Sequence, residues 1–145
     1  MAFYDSDTVT QYIVDKLEDH KGELGFRTVV YGDERLIRAY PSVLVEPAPL
    51  QREVHASRQW MLTFRVNIWI YHALLKISRQ QRVKEDVQLS NSVVTLMHED
   101  KTFAGNLIFC FIENEAPGII GRGPEQYIIG TRLGWTGQVT QPWDL

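Results

Sequence analysis

The chain has 145 residues, about one domain's worth, with 15 lysines and arginines against 18 acids and a formal charge of −3. With 44% apolar, 11% aromatic and 23% charged residues it can build a core, which excludes disordered, collagen-like and low-complexity classes. It contains no run of roughly 20 apolar residues and no signal-peptide pattern at Met1 to Asp5, and its lone cysteine, Cys110, has no partner for an internal disulfide. A soluble, non-membrane protein made and kept in a reducing cytoplasm is the expectation.

The charge is unevenly spread. Arg52 to Lys84 carries a net +6, whereas Met1 to Gln51 carries −4 and Glu85 to Leu145 carries −5. Such asymmetry bears on partners rather than on fold.

In chain order, Asp5 to His20 reads as a helix. Ser6 or Asp7 is placed to cap it, Val9, Tyr12, Ile13, Lys16 and Leu17 form one stripe, and Gly22 and Gly25 end it. Phe26 to Tyr31, the turn signal Gly32-Asp33 and Leu36 to Tyr40 read as a hairpin or two short extended pieces. Pro41 to Glu46 is a short strand closed by Pro47 and Pro49, and Pro47 to Gln59 is a long exposed connection. Trp60 to His72 is the clearest strand. Trp60, Leu62, Phe64, Val66, Ile68 and Ile70 face one way, toward a core, and Met61, Thr63, Arg65, Asn67, Trp69 and Tyr71 face the other.

Ser78 to Phe103 carries the second helix, with Val83, Val87, Ser90, Val94 and Met97 on a stripe widened by Leu89, Val93 and Leu96, and Gly105 near its stop. Leu107 to Glu113 and Tyr127 to Thr136 are the closing strands, joined through a turn-rich Glu115 to Glu125. Gln138 to Leu145 is a tail containing Trp143. The sum is a single α+β domain over 1–145. Its mixed or antiparallel sheet of about four to five strands is packed by two helices and carries a long exposed hairpin or loop.

The candidate chemistry is sparse. His20, His55, His72 and His98 fall in no metal-ligand spacing, and no Gly-x-Ser-x-Gly occurs. Glu113 and Glu115, two apart at a strand end, would share a face and invite an acid–base pair of a small hydrolase, although an exposed strand-end charge explains them more simply. Gly118 to Glu125 lacks the following helix that a phosphate cradle needs. The basic segment with Trp60, Trp69 and Tyr71 has the composition of a single-strand nucleic-acid surface, but the overall negative charge opposes phosphate binding. Neither enzyme chemistry nor a bound cofactor or metal is expected.

Three stretches carry a family likeness: Tyr40-Pro41-Ser42-Val43-Leu44-Val45-Glu46-Pro47, Thr63-Phe64-Arg65-Val66-Asn67-Ile68-Trp69-Ile70, and Asp100-Lys101-Thr102-Phe103-Ala104-Gly105 ahead of the closing strands. With the order of elements from about Asp7 to Val139, the chain resembles the tail-terminator (tail-completion) proteins of long-tailed bacteriophages. The resemblance implies a structural virion protein, assembled in the host cytoplasm. It would form a ring, usually a hexamer, at the head-proximal end of the tail, with DNA passing through the lumen without sequence-specific contact. The implied partners are other copies, the tail tube protein, a neck or connector protein and the sheath protein. Another neck component, such as a head-closure protein, is the alternative. Expected interface residues are the bases and aromatics Arg52, Arg58, Trp60, Arg65, Trp69, Tyr71 and Trp143, facing the acids Asp100, Glu113, Glu115 and Glu125 of a neighbouring copy.

Overall fold

A computed structural model of the chain describes residues 2–33, 36–37, 39–73, 79–122 and 126–144. Its elements are α1 (Ser6–Asp19), α2 (Lys21–Leu24), β1 (Thr28–Tyr31), β2 (Ser42–Pro47), β3 (Gln51–Ala56), β4 (Gln59–Ala73), α3 (Arg79–His98), β5 (Phe109–Arg122) and β6 (Gln126–Pro142). The fold is α+β, as expected, with a sheet ordered β1-β2-β4-β6-β5 and β3 added beside β4.

The cap of α1 is one residue earlier than expected. Asp5 accepts the Thr8 amide at 2.7 Å and also the Thr8 hydroxyl, satisfying an otherwise orphaned first-turn donor. Val9, Thr10, Ile13 and Leu17 are the buried positions. The short α2 intervenes, and Gly25 at φ +85° ends it, since a left-handed residue costs glycine least.

Of the two forms open for Phe26 to Tyr40, a hairpin or two short extended pieces, the hairpin is not formed, and Thr28–Tyr31 is the one strand there among the described residues. Thr28 to Tyr31 pairs with Ser42 to Val45 in parallel, so the intervening segment crosses over instead of turning back. In that crossover Ile37 packs on Val30, Leu44 and Tyr71 on the sheet face away from the helices, a burial that a tight turn at Gly32-Asp33 would forfeit.

The strand Gln59–Ala73 matches its sequence pattern. Leu62, Phe64, Val66, Ile68 and Ile70 are buried against the helices with Val43, Val45, Leu133, Trp135 and Val139. The segment expected to be an exposed connection holds a strand: β3 pairs antiparallel with β4, and Ser57 and Arg58 form the turn between them. β2 and β3 therefore lie end to end along one side of β4, and all six residues of β3 are exposed.

α3 is shorter than the span from Ser78 to Phe103. It stops at His98, and a loop follows in which Phe103, Ala104 and Gly105 take φ of 48°, 56° and 83°. Its inward stripe is also different. Asp86, Ser90, Val93, Leu96 and Met97 are buried, whereas Val83 and Val87 are 41% and 43% exposed. The closing strands are longer than expected and pair with each other from Phe109↔Gln138 to Arg122↔Gln126, so most of the expected tail is strand up to Pro142. No helix among the described residues is long and apolar enough to cross a membrane.

Candidate functional site

The outstanding surface is the end of the β3–β4 hairpin. The alternation of β3 and its register place Arg52 opposite Leu62 and Val54 opposite Trp60, on the side of the sheet that carries the helices. Val54 is 67% exposed. Trp60 meets Trp143 at the end of β6 with ring centroids 5.7 Å apart, and the Trp143 amide donates to the Arg58 carbonyl at 2.9 Å. The sequence placed Trp60 and Trp143 among contact residues, and the fold brings them together beside Arg58, although more than half of the chain separates the two tryptophans. Arg58 holds φ 61° at the apex, a conformation that favours glycine or asparagine. Arg52 and Arg58 make no ion pair with any described residue.

The other expected residues distribute differently. Arg65 projects from the opposite face of β4 and lies 3.8 Å from Glu113, so this pair is made within the chain. A register shift between Ile112 and Asn114 makes Glu113 the extra residue of a bulge. Glu115 then registers with Leu133, a residue of the helix-side core, while the Glu113 carboxylate reaches Arg65 on the other face. The bulge thus breaks the two-residue alternation that would have aligned the two carboxylates. Asp100 serves its own loop, accepting the Thr102 and Ala104 amides at 3.2 and 2.8 Å. Partial burial opposes its ionisation, but those hydrogen bonds, the Thr102 hydroxyl and the Lys16 charge prevail and lower its pKa. Glu125 lies outside the described residues.

Tyr71 is buried rather than presented to a partner. It shares a small cluster with Val30 and Leu44, and burial followed by the Glu46 charge raises its pKa. Trp69 is half-buried, stacks near-parallel to Tyr71 with centroids 6.5 Å apart, and donates its indole N–H to Glu46 at 2.7 Å. Cys110 is buried, and desolvation together with the Asp100 charge pushes its thiol up to about 12, leaving it a poor nucleophile.

Two polar arrangements went unnoticed in the sequence. Asp86, 1% exposed, accepts the Thr131 hydroxyl at 2.5 Å across the α3–β6 contact. Asp86 Oδ1, Ser90 Oγ and His72 Nδ1 are buried without a hydrogen-bond partner among the described residues, and His72 Nε2 lies 3.5 Å from Glu85. The available signal was the helical spacing of Asp86, Ser90, Val93 and Met97 on one face. The second is at the sheet edge. The Ile112 amide donates to His98 Nε2 at 2.9 Å and the Cys110 amide to the Lys101 carbonyl at 2.7 Å, so the outer side of β5 is already occupied there. Pro117 further along offers no donor. Among the described residues nothing comparable covers β3.

No group of three or more histidine, cysteine or acidic side chains able to hold a metal occurs among the described residues. No protein-family model matches the chain, and no curated protein matches it in sequence.

Proposed function

We propose that the protein is a ring-forming structural subunit at the head-proximal end of a long phage tail, where it ends tube polymerisation and meets the neck. The observation that carries this reading is the likeness of the three quoted stretches and of the element order to tail-terminator proteins. The α+β architecture agrees with the small subunit that the likeness implies. A ring requires a heterologous contact, in which one patch meets a different patch on the next copy. The exposed β3–β4 tip, whose arginines pair with no acid among the described residues, supplies one such patch, and the acid-rich flanks of the sequence supply the opposite charge.

Mass photometry and negative-stain microscopy of the protein across a concentration series test this reading. A closed ring of uniform mass is expected, whereas a monomer at every concentration, with or without tube protein, contradicts it. Because the proposed contact joins exposed opposite charges, raising ionic strength from about 0.1 M to 1 M shrinks the screening length from about 10 Å to 3 Å and is expected to shift rings toward monomers. Dissociation that ignores salt counts against a charged contact.

A further inference from the structure

The helix layer of the fold carries a cleft of about 390 Å³ between the α1–α2 corner and α3. Leu24 and Leu96 give it an apolar floor, and Glu23 and Glu99 stand at its rim. Both glutamates are exposed and make neither an ion pair nor a hydrogen bond with any described side chain. Lys21, the base next to Glu23, is engaged with Glu18 at 2.6 Å.

The β3–β4 tip has the complementary composition. It offers an apolar patch of Val54 and the Trp60–Trp143 pair, flanked by Arg52 and Arg58, which make no ion pair among the described residues. The helices do not cover it. Arg58, at the apex, also holds a left-handed backbone that glycine would adopt at lower cost.

We infer that the β3–β4 tip of one copy docks into the Glu23–Glu99 cleft of the next, with Arg58 and Arg52 meeting the two glutamates and Val54 and the tryptophan pair covering Leu24 and Leu96. This names the contact of the assembly proposed above and rests on that reading. The two surfaces lie on different parts of the fold, so the contact is heterologous, and its repetition propagates from copy to copy until it closes. Arginine and tryptophan are the side chains that most often carry such contacts, and the acids give register.

Two charge reversals test it. Arg58→Glu sets an acid at the tip against the acids of the cleft, and Glu99→Arg sets a base in the cleft against the bases of the tip. Each variant alone is expected to remain monomeric at concentrations where the wild type assembles, with association weakened at least tenfold. Mixed one to one, they are expected to reassemble, since each tip then meets a cleft of opposite charge. Arg58→Gly serves as the folding control: glycine suits the turn, so thermal stability is expected to hold or rise while assembly is lost.

Wild-type-like assembly of either reversal, or no rescue on mixing, overturns the docking contact. If those variants still form rings that cap tail tubes, the contact alone fails and the tail reading stands. If rescue occurs but the assemblies never cap tubes, the contact stands and the tail reading fails. A wild type that never self-associates overturns both.

Discussion

Replacing Trp135 by alanine is expected to lower the unfolding free energy by about 3–5 kcal/mol, a large part of the roughly 5–15 kcal/mol that holds a domain together. Trp135 is fully buried and stacks on Phe103 with centroids 5.1 Å apart. Phe103 stacks on Tyr12 at 4.5 Å, and Tyr12 meets Phe3 at 5.3 Å. This column runs from the middle of the sheet through the 99–108 loop to α1, so removing its base leaves a cavity beneath that loop and α1. The same site can be probed by addition. A Cβ at Gly137 would lie 2.5 Å from Trp135 Cη2 and 3.0 Å from a Leu107 methyl, and Gly137→Ala is expected to cost about 1–3 kcal/mol. Urea unfolding followed by circular dichroism checks both, and a Trp135→Ala midpoint equal to that of the wild type would show that the column contributes nothing to stability.

A second large effect is expected at Asp86 and is read against pH. Burial raises the pKa of this carboxyl, and the Thr131 hydrogen bond and the charge of His72 only partly offset it. Below about pH 4 the group is protonated in both folded and unfolded chains. As pH rises past that point the unfolded chain releases its proton first, so folding stability falls until the raised folded value is passed. Asp86→Asn removes the titration while leaving an acceptor for Thr131. The wild-type stability curve is therefore expected to fall relative to the Asn variant from about pH 4 upward, and parallel curves would contradict the assignment. Asp86→Ala strips the buried Thr131 hydroxyl of its acceptor and is expected to cost about 1–3 kcal/mol below about pH 4, a cost that shrinks as pH rises because the titration is removed here too. Asp100, whose pKa is lowered, works with the opposite sign in both backgrounds, losing stability as the medium is acidified, and cancels from the comparison.

Where burial alone decides, the residues announce their places. Leu62, Phe64, Val66, Ile68 and Ile70 alternate because every second side chain of β4 enters the core, and the Pro-bounded strand before it is equally plain. Where another element decides, they do not. Val83 and Val87 suggested the inner face of α3, but the face that packs on the sheet carries Val93, Leu96 and Met97 with Asp86, which accepts the Thr131 hydroxyl, and it leaves both valines exposed. β3 carries only Val54 and Ala56 as apolar residues, and it pairs where the ladder of β4 extends beyond β2 and leaves backbone groups open. The bulge that separates Glu113 from Glu115 leaves no mark in composition. Of the contact residues, the Trp60, Trp143 and Arg58 corner was legible as a set of types, whereas the pairing of Arg65 with Glu113 inside one chain depended on how far a side chain reaches across β6.

The most direct measurement is electron microscopy of tail tubes polymerised from purified tube protein with and without this protein. One ring at a single end of each tube, and tubes that cease to lengthen once capped, is the expected result. Tubes of unchanged length with bare ends would contradict a terminating ring.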